Sequence, residues 1–361
     1  MREGKSKTFI FVPILVLVSI FIAYFYGWSI GAHFNPDTTA YNMSEFTALV
    51  NADIDAGEEK GVYYVTGVTE DQVVSVNDYI CSINGVVSQY SILEKTPKGM
   101  KVMLTYDISD NYFVLEKYLN GTGIPVDRVN AEKLYEKVVE IIDTIITPEM
   151  TDYEKELAIH DYIVMNCEYG YVDTSKEYAY RAYGCLVQKK AVCNGYAEAM
   201  TLLLTCAGVE NEIITGTAGG ELHAWNQVMI DGEWYHVDAT WDDPVPDGGY
   251  YAGHAYLNVP DDVMDDTHTW EEDRFQECES SDYNYFMYNN LDGNYNDFMS
   301  IIEAAAARNI TATVEVLVYD YDPDNYDFEA IFDISGVTHL WYSEIEWGDG
   351  DIITVYLNQS Q

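Results

Sequence analysis

With 361 residues, 48% of them hydrophobic, the chain is long enough for two or three folded units with cores of their own. Its 61 acidic residues against 18 basic ones give a net charge of -43. That excludes nucleic acid and anionic membrane surfaces as partners, because their phosphates would repel the chain, and it leaves most carboxylates as solvated surface.

Phe9 to Trp28 is a run of 20 residues without a formal charge. As a helix rising about 1.5 Å per residue it would cross a roughly 30 Å hydrocarbon core. Arg2, Lys5 and Lys7 precede it against a single Glu3, so the positive-inside tendency predicts a cytoplasmic amino terminus and an exported body. A signal peptide cut near Ser29-Ile30-Gly31-Ala32 is the alternative, giving a secreted protein. Tyr24, Tyr26 and Trp28 at the outer end favour a retained single-pass anchor. Residues 1–30 therefore read as cytoplasmic tail and transmembrane anchor, and the polar residues 31–60 as a linker.

Residues 61–122 carry short β-like runs, Val62-Tyr63-Tyr64-Val65 and Lys101-Val102-Met103-Leu104-Thr105-Tyr106, punctuated by Asn84-Gly85 and Pro97-Lys98-Gly99. A small β-rich or α+β domain is expected there, closed by Gly121-Thr122-Gly123-Ile124-Pro125. Leu134, Val138, Ile141, Ile142 and Ile145 make a helical stripe over 130–146. Thr151 and Glu154 form a capping-box pattern before a second helix that runs to about Cys167. A third helix is expected from Cys193 to about Cys206, stopped by Gly208. Strand-like residues 212–216 and a hairpin about Asp231-Gly232 follow, the latter a type I′ turn signal. From Asp261 to Glu303 an acidic loop leads to a helix near Asp297 to Ala307, and the last fifty residues return to strands. Residues 127–290 and 291–361 thus form a central domain and a carboxy-terminal α+β domain.

The chemistry gathers at Cys193. A thiol must ionise to attack, and a helix amino terminus favours the thiolate through its unpaired N–H groups. If Asp231-Gly232 is a two-residue turn, Ile230 faces Glu233, His223 faces Thr240 and Trp225 faces Asp238. His223 and Asp238 then lie diagonally on one face of the hairpin, within side-chain reach. A carboxylate there fixes the imidazole tautomer, as the third member of a triad does.

The blocks Gly184-Cys185-Leu186-Val187-Gln188-Lys189-Lys190-Ala191-Val192-Cys193-Asn194-Gly195-Tyr196-Ala197, His223-Ala224-Trp225-Asn226 and Trp234-Tyr235-His236-Val237-Asp238-Ala239-Thr240-Trp241-Asp242-Asp243-Pro244 resemble the transglutaminase-like superfamily of papain-type cysteine enzymes. Ile159-His160-Asp161-Tyr162-Ile163 and Tyr256-Leu257-Asn258-Val259 resemble its bacterial members. The resemblance implies an α+β fold, a papain-like core in which the nucleophile-bearing helix packs on an antiparallel sheet, here with small β-rich flanks and the amino-terminal transmembrane helix. It implies Cys193 as nucleophile, His223 as general base and acid, and Asp238 as the residue that orients it. Gln188, five residues before the cysteine, is a candidate oxyanion donor, and Trp225 and Trp241 are candidate near-site residues. The substrate class implied is a protein or peptide amide, attacked through a thioester with no cofactor or metal. Hydrolysis is favoured over amine cross-linking, and the alternative is a catalytically silent surface module that binds a peptide or glycan.

Other residues are assigned blander roles. His236 shares the face of His223 but lacks its sequence context. His160 is expected in a helix core, and His254 and His268 in loops without catalytic duty. Asp242 and Asp243 read as cap and turn residues. Asp320, Asp322, Asp324 and Asp327 lack the glycine and closing glutamate of an EF-hand and read as a solvated loop. The six cysteines show no CxxC pair or zinc-type spacing, and their pairing cannot be read from the sequence.

Overall fold

The computed structural model describes residues 39–81, 85–243, 251–319, 321–324 and 326–359. The charge-free segment Phe9 to Trp28 lies outside them, and among the described residues no helix is long and apolar enough to cross a membrane.

The first unit holds β1 (Thr39–Ala40), α1 (Met43–Asp55), β2 (Lys60–Val65), α2 (Glu70–Cys81), β3 (Val86–Thr96) and β4 (Gly99–Ile108), with strand order β1-β2-β4-β3. Alternation decides its inward face: Met100, Val102, Leu104 and Tyr106 of β4 are buried while their neighbours are not. Val73, Val76 and Ile80 of α2 join the same core. For residues 39–60 the expected linker is corrected. Asn42 caps α1 by accepting from the Glu45 N–H, and Phe46, Val50 and Ile54, four residues apart, bury one helix face in the first core.

Next, α3 (Asp110–Asn120) joins two cores. Tyr112 and Phe113 pack into the first, Val114 and Leu115 into the central one, and Gly121 ends the helix in the left-handed region at φ 72°.

The central unit starts with α4 (Val129–Ile145) and α5 (Asp152–Asn166), the latter opened by the Thr151/Glu154 capping box. Short β5 (Glu168–Tyr169) and β6 (Lys190–Ala191) lead into α6 (Cys193–Ala207). Then come β7 (Asn211–Ala218), β8 (Glu221–Ile230), β9 (Glu233–Val237), β10 (Leu257–Val259), α7 (Asp261–Met264), β11 (His268–Trp270) and α8 (Tyr285–Tyr288). The sheet is antiparallel throughout, ordered β10-β9-β8-β7-β11. Asp231 at φ 53° and Gly232 at φ 90° make the I′ turn, and Ile230 faces Glu233.

The carboxy-terminal unit sets α9 (Tyr295–Arg308), which follows β12 (Asp292–Gly293), against β13 (Thr313–Val318), β14 (Leu340–Trp347) and β15 (Gly350–Leu357), in the order β12-β13-β15-β14. It docks on the central unit through a shared cluster of Ile214, Trp225, Val259, Met264, Phe286, Leu317, Trp347 and Ile352. The Trp347 indole N–H also donates to the Ala255 carbonyl at 2.6 Å.

One buried charge-bearing group in α5 gives a stability test. Glu156 is fully buried, its Oε2 accepts from Asn258 Nδ2 at 2.7 Å, and its Oε1 has no partner. Burial, opposed by the Asn258 bond and by His160, pushes its carboxyl up from 4.5 to about 8. Between those values the unfolded chain releases the proton and the folded chain keeps it. The stability carried by this group is therefore full below pH 4.5 and lost as pH rises through 8. Glu156→Gln should match the parent near pH 4.5 and gain on it with rising pH, by up to about 1.4 kcal/mol per unit, in denaturant melts across that window.

Candidate active site

Cys193 is the first residue of α6, behind an extended Val192 whose side chain offers no cap to the N–H groups of the helix start. Gly195 is required there, because a Cβ would run into the Ala179 carbonyl and sit 2.8 Å from the Ala191 Cβ. Asn226 of β8 fixes the helix on the sheet, donating from Nδ2 to the Ala197 carbonyl at 3.2 Å and to Thr201 Oγ1 at 2.8 Å. That docking brings His223, three residues earlier on β8, into a hydrogen bond with the Cys193 side chain.

His223 Nε2 donates to Asp238 Oδ2 at 2.6 Å, which leaves Nδ1 for the sulfur. Asp238 is almost fully buried and accepts four hydrogen bonds. Its Oδ2 also takes His268 Nε2 at 3.1 Å, and its Oδ1 takes the backbone N–H groups of Thr240 at 2.9 Å and Trp241 at 3.3 Å.

The electrostatics follow from these contacts. Burial alone would raise the Cys193 thiol, but the hydrogen bond and charge of His223, with the N–H groups of Ala224 and Asn194, outweigh it and the thiol is lowered. His223 moves the other way: burial disfavours its cation, yet the bonds to Asp238 and Cys193 raise it to about 10. Burial opposes ionisation of Asp238, and the two histidine bonds overcome it, holding the carboxyl at about 2. The lowered thiol and the raised imidazole both favour a thiolate–imidazolium pair backed by a carboxylate.

The near-site tryptophans both touch the base. Trp225 is buried and stacks on His223, with centroids 5.9 Å apart and planes at 20°. Trp241 is 38% exposed, with its ring centroid 6.2 Å from that of His223 and 4.7 Å from that of His268. Gln188 ends a π-turn, Gly184–Gln188; its Nε2 donates to Ser175 Oγ at 3.0 Å, and its Oε1 is buried without a partner. His236 is turned away from Cys193. Its Nδ1 accepts from the Trp225 indole N–H at 2.9 Å, and its Nε2 donates to Asp261 Oδ1 at 2.8 Å.

One expectation needs correction. His268 lies on a strand, not in a loop, and contacts the Asp238 carboxylate, because β11 pairs with β7 and sets His268 opposite Ala218. A three-residue strand joined to a distant partner leaves no local periodicity by which it could have been found. His254 lies in a loop as expected, where it is buried and bonded to Asp161 and Glu315. His160 is a core residue as expected, with Asp161 and Asp242 on its two nitrogens. Asp327 caps the turn that begins at Phe328, as a loop aspartate does. All six cysteines are free thiols.

The chain shares 28% identity over 116 residues with the human (Homo sapiens) Kyphoscoliosis peptidase, a match covering 28% of this chain and 18% of that protein. It therefore spans less than a fifth of the curated relative's length. A solved structure of a TGase is 15% identical, covers 56% of this chain and 59% of its own, and has a TM-score of 0.25. Another, from Cytophaga hutchinsonii and provisionally titled a cysteine protease, is 16% identical, covers 46% and 68%, and has a TM-score of 0.26. Structural likeness at that level carries no weight for the chemistry. Residues 139–239, from α4 through the hairpin that bears His223 and Asp238, match the model of the transglutaminase-like superfamily, and the chain carries a domain of that superfamily.

Proposed function

We propose that the protein is a cysteine-nucleophile enzyme that cleaves peptide or side-chain amides through a thioester. The observation that carries this reading is the Cys193 sulfur sharing a hydrogen bond with an imidazole whose other nitrogen is held by a buried carboxylate. The Cys193 thiolate attacks the amide carbon and forms the C–S bond. The N–H groups at the start of α6, together with the second N–H of the Gln188 amide, receive the oxyanion. As the C–N bond breaks, His223 passes its proton from Nδ1 to the leaving amine. Water then gives a proton to His223 and attacks the thioester, releasing a carboxylic acid and restoring the thiolate–imidazolium pair.

Water is the favoured acceptor over an amine, a preference supported by the name of the human relative, a peptidase. The charge-free Phe9 to Trp28 segment supports an exported catalytic body held at the cell membrane, and the net charge of -43 favours cationic peptides as substrates.

The test is labelling of the full-length chain with a library of electrophilic peptides, followed by mass mapping of the modified cysteine. An adduct at Cys193, abolished by Cys193→Ala, is expected. In ¹⁸O-labelled water the released acid should carry one heavy oxygen. A protein that forms no adduct at Cys193 and turns over no peptide amide would be a binding module instead.

A further inference from the structure

Among the described residues, three sets of metal-ligating side chains converge: His223, Asp238 and His268; His236, Asp261 and Cys278; and His160, Asp161 and His254. The first is the catalytic base with its support. In the second, His236 Nδ1 accepts from the Trp225 indole. A metal-bound imidazole donates through its outer nitrogen to a carboxylate or carbonyl, so this set has the wrong tautomer.

The third set has the right one. His160 Nε2 donates to Asp242 Oδ2 at 3.1 Å, and His254 Nδ1 donates to Glu315 Oε2 at 2.7 Å. The inner nitrogens, His160 Nδ1 and His254 Nε2, each lie 3.1 Å from Asp161 Oδ1. We propose that His160 Nδ1, Asp161 Oδ1 and His254 Nε2 bind a divalent transition-metal ion, zinc by preference, with Asp242 and Glu315 orienting the two imidazoles.

The dimensions suit zinc. Tetrahedral bonds of about 2.0–2.1 Å set donors roughly 3.3 Å apart, close to the separations seen. The three donor atoms lie within 4.8 Å of one another, and the imidazole centroids are 5.6 Å apart with planes at 35°. Two imidazoles and one carboxylate favour zinc and its neighbours over magnesium or calcium, which prefer all-oxygen sites. The ring of Tyr285 stacks on His254, 3.8 Å between centroids and 6° between planes, and holds it in place. Asp161 is 38% exposed, so a fourth position opens to water, and a cavity of about 210 Å³ reaches His254 and Glu315 from the side of Tyr251. Without metal the two inner N–H groups donate to Asp161; an ion takes the place of those two protons.

The site joins α5, the 251–256 segment and β13. That segment in turn holds the stretch after the catalytic aspartate, through Gly253 N–H to the Asp242 carbonyl and Tyr256 N–H to Asp242 Oδ1. The ion would brace the carboxy-terminal sheet against the catalytic loop without touching Cys193.

The test is titration calorimetry of the chelator-stripped, full-length chain with zinc chloride, alongside absorption spectra with cobalt(II). One zinc per chain is expected, with cobalt bands of tetrahedral type and no thiolate charge-transfer band. His254→Ala should weaken binding at least about 100-fold, and Glu315→Gln, which removes only an outer carboxylate, about 10- to 100-fold. Cys193→Ala should leave binding unchanged, so a failure of the catalytic reading would not touch this one. Asp161→Asn, at a half-exposed position, serves if His254→Ala fails to fold. The proposal is overturned by the absence of stoichiometric zinc in the parent chain, by unchanged affinity in the ligand variants, or by loss of binding in Cys193→Ala.

Discussion

Replacing Cys193 by alanine is expected to lower peptide-amide turnover by at least about 10⁴-fold, and His223→Asn by about as much, because nucleophile and base act as one unit. The two variants separate in thiol reactivity. In the parent chain, His223 and the N–H groups of Ala224 and Asn194 stabilise the thiolate against the burial of Cys193. Iodoacetamide should therefore modify Cys193 at a rate that levels off below the ordinary thiol value of about 8.5. In His223→Asn the cation is gone, burial acts with less opposition, and the levelling-off should move upward. Turnover has a second limit: the imidazolium that protonates the leaving amine is lost as pH rises through about 10. The kcat/KM profile should be a bell, its acid limb set by the lowered thiol and its alkaline limb by His223. A Cys193 that alkylates in the parent no faster than a free thiol at pH 7 would remove the ion pair from the mechanism.

Those residues were legible in the sequence because their geometry is local. The I′ turn at Asp231-Gly232 sets the hairpin register, and register alone carries His223 and Asp238 to one face. The helices α4, α5, α6 and α9 were equally readable, since each has a stripe or a cap at its start. Three features were not. Helix α1 buries Phe46, Val50 and Ile54 within a mixed run of polar and apolar residues, so composition reads as a linker where phase reads as a helix. His268 reaches Asp238 through a strand pair between residues 216–218 and 268–270, a contact no local pattern encodes. Glu315 meets His254 across a gap of 61 residues only because the carboxy-terminal sheet docks on the central one. Turns and caps are written in neighbouring residues, whereas docking is written in the fit of two surfaces.

The distant contact at Asp238 carries the other large effect. The carboxylate is an acceptor on both oxygens: Oδ2 takes two imidazole N–H groups and Oδ1 takes two backbone N–H groups. In Asp238→Asn one of those oxygens becomes an NH₂ group. Set toward Thr240 and Trp241, the amide nitrogen meets two donors that cannot move, because they belong to the turn. Set toward the histidines, it forces the His223 proton onto Nδ1, so the ring loses the lone pair that accepts from the Cys193 thiol. Either arrangement strands a buried donor, and the second also installs the wrong tautomer. Turnover should fall about 10³- to 10⁴-fold with little change in KM, as when a triad carboxylate is amidated. His268→Leu is the control that separates charge from support. It removes one of the two bonds that hold Asp238 at about 2 and leaves the bond to His223. Asp238 then stays ionised at neutral pH, and turnover there should fall no more than about 10-fold. The acid limb should stay where the thiol sets it, with any added loss confined to the more acid range in which Asp238 takes up its proton. Equal losses in both variants at every pH would mean that His268 supports the fold and does not position the catalytic carboxylate.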